Sequence, residues 1–188
     1  DALGIKKAIV CGLSMGGYVL LDAVNRYPER FKAIILSDTQ CADDTTETKE
    51  KRYKTMEQIE EGKLSEYANA FIKTVFCKET LNTKKQLVEK IKNGILATSP
   101  KTIIATLKAM ALREEKCSIL NKINVPALII CGKEDMLTPI ARSEILFKGI
   151  NNSSIKIISD AGHLSNLEQP AEFNKCLANF IATLIKEK

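Results

Sequence analysis

The stretch of sequence that decides the fold is Ala8-Ile9-Val10-Cys11-Gly12-Leu13-Ser14-Met15-Gly16-Gly17. Its first four residues are apolar without alternation, which is typical of a strand buried on both faces of a parallel sheet. Residues 19–27 then place apolar side chains every three or four positions, which predicts a helix that ends before Pro28. Between strand and helix lies G-x-S-x-G, a turn that strains the backbone of its serine and exposes the hydroxyl. Ser14 is therefore a candidate nucleophile, and the alternative is an ordinary glycine-rich turn.

The same order of strand and helix repeats along the rest of the chain. Further apolar segments predict strands at residues 31–36, 125–132 and 155–158, and a final helix begins at Pro170. Thr138 is predicted to cap the helix after the third strand, with Pro139 at its first position and Gly149 just beyond its last turn. Alternation of this kind predicts an α/β fold, a mostly parallel sheet with helices on both faces.

A central segment breaks this alternation. From residue 41 to residue 120 strands disappear, charge rises and helical periodicity takes over. Four helices are predicted there, with breaks at Gly62, at residues 78–82 and at Ser99-Pro100: residues 46–60, 65–76, 84–95 and 100–112. The predicted organisation is one α/β core, residues 1–40 and 121–188, with a helical insertion at residues 41–120.

The base that a serine nucleophile needs is offered by the one histidine of the sequence, His163, directly after the fourth predicted strand. A lone histidine is usually structural or on the surface. The carboxyl ends of parallel strands share one edge of the sheet, however, so His163 is expected beside Ser14. This placement favours a catalytic role.

The acid that orients this histidine is predicted to be Asp135, which follows the third strand and gives the chain order Ser, Asp, His. Asp38, after the second strand, is the competing candidate. Asp160 is too close in sequence to His163 to reach behind its ring. The backbone N–H of Met15, at the start of a helix, is the predicted donor to an oxyanion.

Composition excludes several other functions. The chain has 188 residues, 45% of them hydrophobic and 27% charged, as in folded globular domains. No apolar run approaches the roughly 18 residues of a membrane span, and no signal peptide is visible, so no membrane association is predicted. The net charge of +5 comes from dispersed lysines, which disfavours nucleic acid as a partner.

The cysteines predict a reducing compartment. Six of them are scattered singly, without the clustered spacing of a zinc site or a disulfide framework. We therefore expect reduced thiols and a cytoplasmic protein. With one histidine and no G-x-G-x-x-G after a strand, neither a metal nor a cofactor is predicted.

Four motifs together resemble the α/β-hydrolase superfamily over the whole chain. They are residues 12–17, Arg-Tyr-Pro-Glu-Arg-Phe at 26–31, Gly-Lys-Glu-Asp with Thr138-Pro139, and Ala-Gly-His-Leu-Ser-Asn-Leu-Glu-Gln-Pro at 161–170. Ser37-Asp38-Thr39, running into residues 42–45, resembles the 3-oxoadipate enol-lactonase-like branch, to which esterases, peroxidase-like enzymes and carbon–carbon bond hydrolases are similar.

This resemblance implies a serine hydrolase that cleaves a small carboxylic ester or lactone, with the helical insertion as a cap over Ser14. The alternatives are a carbon–carbon bond hydrolase or an aminopeptidase with the same triad, or a ligand-binding protein without turnover.

The resemblance also implies further strands and helices before residue 1, including a loop that supplies a second oxyanion N–H. Residues 1–4 resemble the tail of a helix, so we expect a fragment, or a chain completed by another. Because one oxyanion donor is worth about 10²–10³ in rate, such a fragment would be a poor enzyme. Its strand at residues 8–11 would present an unpaired edge, which predicts self-association or pairing with the missing segment.

Overall fold

The centre of the protein is a parallel sheet of four strands in the order β1-β2-β3-β4. The computed structural model describes residues 2–186. Each strand pairs in parallel with the next in that order. The strands are β1 Ala8–Leu13, β2 Phe31–Ser37, β3 Ala127–Gly132 and β4 Ser153–Ile158. All four carboxyl ends therefore lie at one edge of the sheet.

Helices cover both faces of this sheet. They are α1 Met15–Arg26, α2 Thr46–Glu60, α3 Leu64–Val75, α4 Lys78–Thr83, α5 Lys85–Ala97, α6 Pro100–Leu112, α7 Ile140–Gly149, α8 Ser165–Glu168 and α9 Pro170–Lys186. Two 3₁₀ turns, Pro28–Arg30 and Cys117–Lys122, precede β2 and β3.

Alternation along β2 divides the core in two. Ile34 packs with Leu21 of α1 and Leu146 of α7 on one face. Its neighbour Ile35 packs with Phe173 of α9 on the other face. Because successive strand residues point to opposite faces, a continuous apolar strand needs a helical layer on each side. The predicted α/β architecture is confirmed.

The helical segment differs from its prediction in one place. Residues 78–82, predicted as a break, form most of α4. Its N-cap is Cys77, whose sulfur accepts a hydrogen bond from the Thr80 N–H at 3.4 Å. Cysteine is not among the usual N-cap residues, so the sequence carries no ordinary helix-start pattern here.

The predicted cap of α7 is also wrong. Pro139 holds the N-cap position, with no side-chain capping bond, and Gly149 is the last residue of the helix. The Thr138 hydroxyl instead donates to Asp135 Oδ2 at 2.6 Å. Because the helix begins at Ile140, Thr138 lies one position before the N-cap, and its hydroxyl donates into the adjacent site instead of accepting from a helix N–H.

Two cysteines contradict the prediction of reduced thiols throughout. Cys41 and Cys117 form a disulfide, with their Cα atoms 4.8 Å apart across 76 residues of sequence. They lie where the chain leaves and re-enters the α/β core, so folding brings the two ends of the helical segment together. Cys11, Cys77, Cys131 and Cys176 are free.

Among residues 2–186 no single helix has the length and hydropathy of a membrane span, and one bent pair, Lys85–Ala97 with Pro100–Leu112, meets that test by length and composition alone.

Candidate active site

Ser14 occupies a strained turn between β1 and α1. Its φ is +51° and its ψ is −115°, a region that non-glycine residues rarely adopt. The end of β2 and the residues after it hold this turn: the Ser14 N–H donates to Ser37 O at 2.9 Å, and the Thr39 hydroxyl donates to Ser14 O at 2.7 Å. A Cβ at Gly12 would lie 2.4 Å from Gly16 O, so only glycine permits this close approach.

Three side chains from separate strand ends form one hydrogen-bonded chain. His163 Nε2 lies 2.7 Å from Ser14 Oγ, and His163 Nδ1 lies 2.8 Å from Asp135 Oδ2. His163 and Asp135 are buried. With the proton on Nδ1, the ring donates to the carboxylate and accepts from the serine hydroxyl. This geometry allows the imidazole to remove the hydroxyl proton during nucleophilic attack.

The surroundings of Asp135 keep it ionised. Its Oδ1 accepts from the N–H groups of Leu137 and Thr138 at 2.8 and 2.9 Å. Burial by itself raises the pKa of this carboxyl, but the hydrogen bond and charge of His163, together with the Thr138 donors, outweigh burial and hold the pKa below its ordinary value. An ionised carboxylate with both oxygens fixed can orient the imidazole.

The competing acids take other positions. Asp38 is fully buried, and its oxygens accept from Gly132 N–H, the Ser37 hydroxyl and the Ser165 hydroxyl. Burial raises the pKa of Asp38 to about 6, and the charge of Asp135 adds to the shift against these donors. Asp160 is exposed, in a turn with a φ of +51°.

Asp38 and Asp135 also lie near the Cys131 thiol, with one potential ligand atom of each within 4.8 Å of the others. Both oxygens of each carboxylate already accept hydrogen bonds from protein groups. Burial raises the pKa of the Cys131 thiol to about 12, so it is not a thiolate. This donor set therefore gives no support to a metal centre.

Ser14 and His163 open into a cavity of about 580 Å³. Met15, the first residue of α1, lies beside Ser14 at this cavity, and the first N–H groups of a helix have no partner within the helix. Helices of the segment 41–120 supply much of the remaining wall, including Arg52, Tyr67, Phe71, Leu107 and Met110.

The arginine and lysine side chains that line the cavity differ in whether they pair with a carboxylate. Arg52 donates to Asp44 at 2.5 Å, and Lys51 pairs with Glu47 at 2.6 Å. Arg142, on α7, is half-buried in the same wall. Within residues 2–186 its guanidinium has no carboxylate partner. Among the described arginines and lysines of this wall, Arg142 is therefore the one without a carboxylate partner, whereas Arg52 shares Asp44 with Arg113.

Sequence reasoning missed Glu168, a fully buried acid that links the histidine loop to the helical segment. Its two carboxylate oxygens accept from Gly162 N–H and Cys77 N–H, both at 2.8 Å. The neighbouring His163 N–H donates to Val75 O at 2.8 Å. The sequence places Glu168 in the motif at residues 161–170, but this position by itself specifies no hydrogen-bond partner.

Comparisons with known proteins agree with this geometry. Residues 3–170 match the family model described as Hydrolase_4: Serine aminopeptidase, S33. The chain is 28% identical to 3-oxoadipate enol-lactonase 2 of Acinetobacter baylyi, over 93% of the chain and 63% of that relative, so it spans less than two thirds of the relative's length. It is 24% identical to a 2-hydroxy-6-oxononadienedioate/2-hydroxy-6-oxononatrienedioate hydrolase of a Pseudomonas species, over 97% of the chain and 65% of the relative.

A solved hydrolase structure is also similar to this chain over almost its whole length. A thermophilic esterase from Thermogutta terrifontis, described as malate bound, superposes with a TM-score of 0.92 at 30% identity, covering 97% of this chain and 68% of that one. The resemblance inferred from the four motifs is confirmed, and the chain belongs to the α/β-hydrolase family whose model is described as serine aminopeptidase, S33.

Proposed function

We propose that the protein is a serine hydrolase that cleaves a small carboxylic ester or lactone through an acyl-enzyme on Ser14. The observation that carries this proposal is the continuous hydrogen-bonded chain from Ser14 Oγ through His163 to Asp135. His163 takes the hydroxyl proton as Ser14 attacks the carbonyl, and it then returns a proton to the leaving oxygen. The Met15 N–H donates to the oxyanion. Water, activated by the same imidazole, releases the acid.

The helical segment 41–120 serves as the cap in this proposal. Its side chains line the cavity above Ser14, with aromatic and aliphatic groups that suit the apolar part of a small ester. Glu168 ties the cap to the loop of His163 through Cys77 and Gly162. In the same proposal the core that carries the triad is assigned to residues 1–40 and 121–188, of which the structure describes 2–40 and 121–186.

A fluorophosphonate probe, followed by a panel of esters, lactones and peptides, tests this function. We expect the probe to label Ser14, and we expect turnover to be highest with small esters or lactones. The experiment uses the longest natural form of the protein that contains these residues. Equal labelling of wild type and Ser14→Ala would contradict the proposal.

Two alternatives use the same triad. One relative is named a hydrolase of a 2-hydroxy-6-oxo acid, which favours carbon–carbon bond cleavage as a second candidate. The description of the family model names an aminopeptidase. Preferred turnover of a vinylogous diketone or of an amino-terminal peptide bond would support these. Ligand-induced thermal stabilisation without product would support a binding protein.

Arg142 is expected to favour substrates with a carboxylate away from the scissile bond. Its guanidinium lines the cavity without a carboxylate partner among the described residues, so a substrate anion can supply one. The esterase from Thermogutta terrifontis, described as malate bound, holds a dicarboxylate. Arg142→Ala should raise KM for a monoester of a dicarboxylic acid about tenfold or more, and leave KM for a matched neutral ester nearly unchanged.

The control for this prediction is Lys51→Ala, because Lys51 lines the same cavity but already pairs with Glu47. It should change the two KM values little. Equal effects of Arg142→Ala on charged and neutral esters would contradict anion recognition.

The outer edge of β1 is expected to recruit another strand. Within the described residues β1 pairs only with β2, and Ile5, just before this strand, and Val19, on α1, are 53% and 64% exposed. Unpaired backbone beside exposed apolar side chains favours strand addition. We expect the 188-residue chain to self-associate through this edge or to bind an amino-terminal segment. Light scattering that gave a monodisperse monomer with a cooperative melt would contradict this.

The cytoplasmic location stays a prediction. Four free cysteines support it. The Cys41–Cys117 disulfide weighs against it, because disulfides persist mainly in oxidising compartments.

A further inference from the structure

Asp38 is a buried acid that the proposed reaction does not use, although it lies at the carboxyl end of β2 beside the triad. Its backbone φ is +46°, in the left-handed region. Its N–H donates to Ile130 O of β3 at 2.8 Å. A strained, fully buried acid one strand away from the nucleophile needs a structural reason.

The hydrogen bonds of Asp38 supply that reason, because they join both loops that carry the other triad members. Oδ1 accepts from Gly132 N–H at 2.8 Å, where the loop to Asp135 begins. Oδ2 accepts from the Ser165 hydroxyl at 2.6 Å, two residues after His163. The same Oδ2 also accepts from Ser37 at 2.8 Å, within β2 itself.

We propose that Asp38 is a positioning residue, whose carboxylate fixes the Asp135 loop and the His163 loop against the end of β2. The inference rests on the proposed function, since it explains how that triad keeps its geometry. Asp38 touches none of the reacting atoms. It acts by holding Asp135 Oδ2 and His163 Nδ1 at their 2.8 Å separation. Small displacements of catalytic groups cost large factors in rate.

The negative charge of Asp38 is unfavourable in the folded state, even though its hydrogen bonds hold the two loops together. The titratable groups that face it are Asp135, Cys131 and Cys11. None of them is a cation. Burial raises the pKa of Asp38 to about 6, so its ionised form is disfavoured in the folded state and stability is lost as the pH rises through that value.

Asparagine at position 38 can link the same two loops by hydrogen bonds without the negative charge. The Gly132 N–H would select the amide oxygen at the Oδ1 position, which leaves the amide NH₂ facing the Ser37 and Ser165 hydroxyls. Hydroxyls accept as well as donate, so both loops stay linked. Asp38→Asn should therefore keep kcat within about threefold of wild type. Its stability relative to wild type should increase as the pH rises from about 4 to about 6 and stay constant above that. Asp38→Ala should lower kcat about 10- to 100-fold with KM little changed.

The decisive comparison is between Ser165→Ala and Ser37→Ala. Each substitution removes one hydroxyl that donates a hydrogen bond to Asp38 Oδ2. Only Ser165 belongs to the histidine loop. Kcat per titrated active site should fall about fivefold or more in Ser165→Ala and stay within about twofold in Ser37→Ala. Both variants remain informative if Asp38→Ala does not fold.

A second readout is independent of turnover. His163 is the sole histidine of the sequence, so the imidazole NMR spectrum reports on one ring. The low-field Nδ1 proton bonded to Asp135 should persist in Asp38→Asn and Ser37→Ala, and broaden or vanish in Ser165→Ala. Equal effects of the two serine variants on this proton would overturn the positioning role. If the wild type neither hydrolyses esters nor reacts with the probe, the proposed function fails, and this spectrum still decides the role of Asp38.

Discussion

Ser14→Ala and His163→Ala should each lower kcat by at least about 10⁴-fold, and the double variant should be no worse than either one. The two side chains share one hydrogen bond, 2.7 Å long, and neither performs the attack alone. Residues that act as a unit lose nearly the whole effect when one is removed, as in the subtilisin triad. Residual catalysis would come from the Met15 N–H and from binding in the cavity.

The measurement is kcat for an activated ester, with active-site concentration taken from the folded protein because Ser14→Ala cannot be titrated with a covalent probe. Ser118→Ala is the matched control, since its hydroxyl is exposed and donates to Glu115 at 2.6 Å, far in sequence from every triad member. It should keep wild-type kcat. Additive losses in the double variant would show that Ser14 and His163 act independently, against the proposed mechanism.

Asp135→Asn should lower kcat by about 10⁴-fold, the size of the effect of this substitution in a serine protease triad. The N–H groups of Leu137 and Thr138 both donate to Oδ1, so they would select the amide oxygen at that position. The amide NH₂ would then face His163 Nδ1, which must accept rather than donate. The proton moves to Nε2, and the ring can no longer take the proton of Ser14.

Asp160→Asn is the control for this substitution. Asp160 is exposed near His163, with a φ of +51° that asparagine also tolerates. It should keep nearly wild-type kcat. A loss in Asp160→Asn as large as in Asp135→Asn would contradict the assignment of the acid.

The Asp135→Asn variant should also show a pH-dependent loss of stability. Because the pKa of Asp135 is lowered in the folded state, its ionisation stabilises the fold above the unfolded-state pKa of about 4. This contribution is lost as the pH falls through the folded-state pKa. Urea unfolding should therefore give a difference between wild type and variant that is constant near neutrality and shrinks below about pH 4. A difference that grew in acid would contradict the direction of the shift.

Much of this site could be predicted from local sequence. The run of buried residues before Ser14, the glycines around it and the apolar repeat after it are each local patterns, so they predicted the strand, the turn and the helix. Parallel strands place their carboxyl ends at one edge. That rule also predicted the neighbourhood of Ser14, Asp135 and His163, which the structure brings within hydrogen-bond distance.

The helical segment shows where local pattern was insufficient. Helix α4 begins at Cys77, a residue that seldom caps helices, and the sequence therefore predicted a break at that point. Thr138 fits an N-cap by residue type, yet its hydroxyl donates to Asp135. In both cases the deciding hydrogen bond joins residues only three positions apart, but residue-type preferences do not identify it.

The sequence by itself determined the α/β fold, the strained serine turn and the order of the triad residues, because strand, helix and turn preferences act over a few neighbouring positions. Only the tertiary structure decided that Cys41 and Cys117 join, that Glu168 links Cys77 to Gly162, and that Asp38 connects two loops. All of these contacts except Glu168–Gly162 join residues at least 76 positions apart along the chain. They exist because packing of the helices against both faces of the sheet brings those residues within bonding distance, and periodicity contains no information about which distant partners will meet.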